Sequence, residues 1–256
     1  MSDAPLEVRL ERDDRLLRLR LARPKANIVD AAMVGALDAA LGEHLARPPL
    51  AAVLLDHEGP HFSFGASVEE HLPERCADML SGLHTLIRQM LDCPVPILVA
   101  IRGQCLGGGL ELAAAGHLLF AATDAQLGQP EIKLGVFAPA ASCLLPERIG
   151  QGAAEDLLYS GRSISGEEAW RLGLVNELAG DPEAAALAYF DAHLAPRSAS
   201  SLRFAVRAAR AGFAARVSSR LDAVERLYLD GLMSTGDALE GLNAFIAKRP
   251  ARWVNA

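Results

Sequence analysis

The amino-acid sequence predicts an α/β layered fold that ends in a helical C-terminal region, and three observations carry that expectation. Between residues 5 and 101, short apolar runs alternate with longer amphipathic ones, giving strand, helix, strand, helix, strand, an order that implies right-handed crossovers. From about Asp181 onward the pattern is helical throughout. At 256 residues with 51% hydrophobic content, the chain is long and apolar enough for one large domain with a substantial core.

The elements follow in order. Leu6–Leu10 and Leu16–Leu21 read as strands; in the second, Leu17, Leu19 and Leu21 alternate with Arg18 and Arg20, the mark of a half-buried strand. Asp30 is a helix N-cap, and the helix runs to about Ala46. Ala51–Asp56 is a short apolar strand. A second helix over about Arg75–Leu91 puts Met79, Leu83, Leu86, Ile87 and Met90 on one face, and the prolines of CPVP end it before the strand Ile97–Ile101. After three glycines come a short helix, a strand near His117–Ala122 and a segment from Thr123 to Gly150 that reads as loop-rich. Ser165-Gly-Glu-Glu168 is a capping box opening a helix that Gly173 closes, before a strand over Leu174–Glu177. A boundary near Pro196 divides a core, 1–195, from a helical region, 196–256, whose helical part is Ser198–Trp253.

Composition excludes several classes of function. A net charge of −7 argues against an electrostatic nucleic-acid binder. The arginine-rich pieces Arg15–Arg23 and Arg203–Arg220 read as solvated faces. The four cysteines form no C-x-x-C pair and the seven histidines no H-x-x-x-H cluster, so no metal site is expected. The start, MSDAPLEVRLERDD, is polar, and no apolar run approaches the ~18 residues of a membrane helix. The expected location is the cytoplasm.

Cys105-Leu-Gly-Gly-Gly-Leu-Glu111 sets three glycines and a glutamate at the mouth of an alanine-rich helix. Glycine lets a ligand approach the backbone, and the first helical turn offers unpaired N–H groups; together they suit a negative oxygen. A tight strand-to-helix turn with close helix–sheet packing explains the same glycines. No G-x-G-x-x-G, phosphate loop or G-x-S-x-G elbow is present. Glu111 reads either as a buried carboxylate with a raised pKa or as an exposed glutamate at a helix start. Glu131 stands in a turn-flanked loop, Gln129–Gly135, and could simply pair with Lys133. A second turn, His61-Phe-Ser-Phe-Gly-Ala-Ser67, follows a strand region. Two backbone turns and two carboxylates are the parts needed for carbonyl activation with acid–base chemistry.

An ordered series of motifs resembles the crotonase (enoyl-CoA hydratase/isomerase) superfamily. It comprises Phe62-Ser-Phe-Gly-Ala66, Ile101 to Glu111, Gly128-Gln-Pro-Glu131 with Leu134-Gly135, Ser160 to Ala169 and Leu172 to Asn176. The series runs from Arg23-Pro-Lys-Ala26 to Phe245-Ile-Ala-Lys-Arg249. The resemblance implies a spiral of ββα units, a helical C-terminal region used in trimerisation, and a homotrimer or dimer of trimers. It implies an acyl-CoA thioester as substrate, with CoA as part of the substrate and no separate cofactor. By motif position, the N–H groups of Ala66 and Gly108 would form the oxyanion hole, and Glu111 and Glu131 would hold and activate water. Both carboxylates together favour hydration over isomerisation. GPHFSFGASVEEHLP and GVFAPAASCLLPERIG are most similar to the members that hydrate a cyclic conjugated dienoyl-CoA. Hydration of a linear enoyl-CoA, isomerisation, and a non-catalytic scaffold or RNA-binding role are the alternatives.

Departures from the family pattern stand at Ser67, where Asp is frequent, at Glu69, where a CoA-binding Lys is frequent, and at Ala138-Pro139-Ala140-Ala141. Pro139 lacks the N–H that assists water in ordinary hydratases. Phe64 with Gly65, Phe137 and Leu144 are candidates to line a pocket for a flat ring, with core packing the alternative. Lys25 with Ala26, and Lys248 with Arg249, are candidates for CoA; the lysines and arginine could equally be surface residues.

Overall fold

In a computed structural model, which describes residues 4–255, the two leading runs form an antiparallel pair, β1 (Leu6–Glu11) and β2 (Leu16–Leu21). Asp30 caps α1 (Ala31–His44), its side chain accepting from Met33 N at 2.9 Å. β3 (Ala52–His57), α2 (Pro73–Leu91) and β4 (Ile97–Ile101) follow. Next come β5 (Gln104–Leu106), α3 (Gly108–Ala115), β6 (Leu118–Ala121) and β7 (Gln126–Gly128). α4 (Pro139–Ile149), α5 (Gln151–Ser160), β8 (Ser163–Ser165), α6 (Gly166–Arg171) and β9 (Glu177–Leu178) continue the chain. It ends in α7 (Pro182–Tyr189), α8 (Ala199–Arg226) and α9 (Gly236–Ile246). The main sheet has the order β1-β2-β3-β4-β6-β9, parallel from β2 onward. A small second sheet, β5-β7-β8, stands beside it. No described helix is long and apolar enough to cross a membrane.

Four sequence expectations are corrected. The arginine face of β2 is covered, not solvated: Arg18 is buried, and with Arg20 it pairs with Asp56 of β3 and Glu183 of α7. Parallel sheets are covered on both faces, and a charge carried inside needs partners, which alternation alone does not reveal. Arg203 and Arg210 likewise bond main-chain carbonyls, of Leu45 and Arg47 and of Ala115 respectively. The segment 123–150 holds β7, a 3₁₀ turn (Pro130–Leu134) and α4. Its prolines look like breakers, yet Pro139 sits at the first helical position, where no N–H is needed.

The strand over 174–177 shrinks to β9. Leu174 and Val175 are buried, but their amides bond Ala169 O at the end of α6 instead of a neighbouring strand. The C-terminal helical part is interrupted by a π turn (Leu227–Gly231) and a 3₁₀ turn (Leu232–Ser234). Val217 and Leu221 of α8 join the same core as Leu83, Leu86 and Ile87 of α2.

Candidate active site

The site begins with strand register. β5 runs parallel to β7 with Leu106 opposite Gly128, so the chain leaving β5 into α3 and the chain leaving β7 into the Glu131 turn depart side by side. Gly107 has φ +52°, and its N–H donates to Gly128 O at 2.9 Å. A methyl group on Gly107 would lie 2.7 Å from Glu131 Oε1. One on Gly109 would meet Ser63 Cβ at 2.6 Å. The glycines therefore serve close approach on two sides, to the carboxylate and to the neighbouring turn.

That neighbouring turn is stitched to β5: Ser63 N donates to Gln104 O at 2.9 Å and Leu106 N to Ser63 O at 3.0 Å. Ser63 Oγ accepts from Gly65 N at 3.0 Å and donates to Asn27 O at 2.8 Å, fixing the turn from inside. Gly65, at φ +100°, lies against Leu106 and Gly107, where a side chain would clash with Leu106 O at 2.9 Å. A methyl on Gly108 would sit 3.2 Å from Ala66 N, so the two expected donors stand together. Ala66 N–H donates to no acceptor among the described residues, and Gly108 N–H lies in the first turn of α3, where helical amides lack an intrahelical partner.

Glu111, in the same first turn, is 4% exposed. Its Oε1 accepts from Ala141 N at 2.8 Å. α4 has no capping side chain of its own, so Glu111 caps it from α3. The amides after Pro139 are thus directed at a carboxylate. Burial pushes the Glu111 carboxyl up to about 7, against the pull of the Ala141 and Ala140 amides. Glu131, half-buried in its 3₁₀ turn, is pushed up to about 8, first by burial and then by the charge of Glu111. Gln129 is buried beside it; with the amide nitrogen facing the carboxylate, it donates to both Glu131 oxygens at 3.0 Å. Burial raises Glu111, and burial with the charge of Glu111 raises Glu131, so the two carboxyls titrate together near neutrality, where one can serve as base while the other is an acid.

The remaining candidates separate. Phe64 N donates to Ala26 O at 2.9 Å, so Lys25 and Ala26 flank the Gly65–Ala66 turn, with Lys25 exposed. Phe64 is 43% exposed, edge-on to His61. Phe137 is half-buried against Tyr228, and Leu144 is fully buried in the main core. Lys248 is exposed beyond α9, and among the described residues no side-chain bond joins it to the site. Arg249 is held by Glu240 at 2.6 Å. Sequence reasoning missed Gln129, Ser63 and the Ala141 amide. Gln129 adjoins Glu131 in its motif; the other two depend on contacts between distant segments. No group of three or more His, Cys, Asp or Glu among the described residues could hold a metal.

Paired backbone donors beside paired carboxyls are suited to drawing charge onto a carbonyl oxygen and moving protons next to it, and they stand on a crotonase fold. The chain belongs to the enoyl-CoA hydratase/isomerase family, whose model matches residues 11–256. It is 70% identical over 257 residues to the cyclohexa-1,5-dienecarbonyl-CoA hydratase of Thauera aromatica, spanning 100% of both chains. A probable enoyl-CoA hydratase of Bacillus subtilis is 33% identical, over 90% of this chain and 92% of that one. An enoyl-CoA hydratase structure from Mycobacterium avium subsp. paratuberculosis superposes with a TM-score of 0.86 at 22% identity, covering 98% of this chain and 99% of the other. An enoyl-CoA hydratase/isomerase structure from Pseudoalteromonas atlantica gives 0.84 at 25%, covering 98% and 100%.

Proposed function

We propose that the protein hydrates cyclohexa-1,5-diene-1-carbonyl-CoA to 6-hydroxycyclohex-1-ene-1-carbonyl-CoA, a step of anaerobic benzoyl-CoA degradation. The observation that carries this reading is the full-length 70% identity to the Thauera aromatica enzyme of that name. The site supplies fitting chemistry. The thioester oxygen would rest between Ala66 N–H and Gly108 N–H, and charge drawn onto it makes the β-carbon of the ring electrophilic. Water adds its oxygen to that carbon and gives one proton to a glutamate. The electrons pass through the diene, and a proton is delivered to the carbon at its far end. Nothing is oxidised or reduced, so the step balances with water as the only co-substrate. Glu131 is assigned as the acid–base residue and Glu111 as its water-positioning partner.

The reading extends to a cytoplasmic homotrimer or dimer of trimers, with 1–195 as spiral core and 196–256 as the assembling region. Exposed Phe245, Ile246, Trp253 and Val254 near the C-terminus support it as apolar surface that another copy would cover. Lys25, beside the oxyanion turn, is the better-supported CoA contact; Lys248 would have to act across subunits. Purified protein given the cyclic dienoyl-CoA and crotonyl-CoA separately is expected to hydrate the cyclic ester. Turnover of crotonyl-CoA alone would overturn the substrate assignment.

A further inference from the structure

Tyr228 is fully buried, and its hydroxyl has no hydrogen-bond partner among the described residues. Buried tyrosine hydroxyls nearly always find one, so an orphan calls for a reason. Phenylalanine would fill the same space without the unpaired group.

Its position supplies the reason. Tyr228 lies in the π turn Leu227–Gly231, and such turns are frequent at functional sites. Its ring meets Phe137 edge-on at 5.2 Å and packs with Cys76, Met79, Leu80 and Val136. Val136 N bonds Glu131 O, and Phe137 leads through Ala138 into the helix start that holds Glu111. The Tyr228 ring thus packs behind the segment that runs from Glu131 through Phe137 to the Ala141 amide held by Glu111. Burial first, then Cys76, Glu131 and Glu111, push its ionisation above the ordinary range, so it stays neutral and can both donate and accept.

Building on the hydration reading, we propose that the Tyr228 hydroxyl hydrogen-bonds to the oxygen that enters as water and leaves as the ring hydroxyl. It accepts one water hydrogen while a glutamate takes the other as a proton, and the new C–O bond forms with the oxygen held on both sides. Tyr228 keeps its own proton, so the stoichiometry of addition is unchanged.

Tyr228→Phe keeps the ring and removes only the hydroxyl. On the cyclic dienoyl-CoA, kcat is expected to fall by about tenfold to a hundredfold with KM within about threefold of wild type. The thermal midpoint should be unchanged or higher, because an unsatisfied buried group is gone. An unchanged kcat, a rise in KM alone, or a fall in kcat accompanied by a lower midpoint would each overturn the proposal. If wild type hydrates only crotonyl-CoA, the substrate reading fails by itself, and the variant is judged by the same criteria on that ester.

Discussion

Glu111→Gln separates the cost of burying this carboxyl from its use. Glu111 is 4% exposed, and burial moves its carboxyl from 4.5 to about 7. At roughly 1.4 kcal/mol per pH unit, holding it ionised costs the fold about 3 kcal/mol. The unfolded chain releases this proton near 4.5, the folded chain near 7. In that window the folded state binds more protons, so wild-type stability declines as pH rises and levels off above about 7. Gln keeps an oxygen for the Ala141 amide and has no proton to lose. The variant should match wild type in urea unfolding at about pH 4 and exceed it by up to ~3 kcal/mol at about pH 8, at fixed protein concentration. Hydration should meanwhile fall ~10²–10⁴-fold. Parallel pH–stability curves for the two proteins would refute the buried-carboxyl argument, and wild-type hydration would refute the role in acid–base chemistry.

Gly108→Ala puts a methyl 3.2 Å from Ala66 N, where the thioester oxygen is expected. Transition-state stabilisation should drop by ~3 kcal/mol or more, read as kcat/KM, with little change in thermal midpoint. Arg148→Met removes donors to the carbonyls of Ala114, Gly116 and His117 at the end of α3. Urea unfolding should show a loss of ~2 kcal/mol, and kcat should fall with it because α3 carries Glu111.

Much of this was legible because local chemistry repeats global geometry. Asp30, Ser165 and Gly173 punctuate helices with their own side chains or backbone, and each performs that role here. The glycines before Glu111 were legible as close-approach positions, though not what approaches: Glu131 and Ser63 arrive through the pairing of β5 with β7 and with the 62–66 turn. The covered face of β2 was hidden because its partners, Asp56 and Glu183, lie 38 and 165 residues beyond Arg18. α4 was hidden for a similar reason. Its N-cap position, Ala138, has no capping side chain and the capping oxygen comes from Glu111 of another helix, so no capping signal precedes Pro139 in the sequence.

That borrowed cap explains why Glu111 is poised where it is. α3 and α4 run side by side in the same direction: Glu111 in the first turn of α3 binds the start of α4, and Arg148 near the end of α4 binds the end of α3. Parallel dipoles repel, and the two clamps offset this, anion at the N-termini and cation at the C-termini. Burial alone would drive the Glu111 carboxyl higher; the helix amides pull it back toward neutrality, into the range where a carboxyl exchanges protons with water. The amides at the start of α3 also carry the Gly108 donor. In the proposed reaction, negative charge building on a thioester oxygen there would raise the proton affinity of both carboxyls as the attacking water becomes acidic. On the proposed hydration reading, carbonyl activation and proton removal would in this way be coupled through one helix terminus.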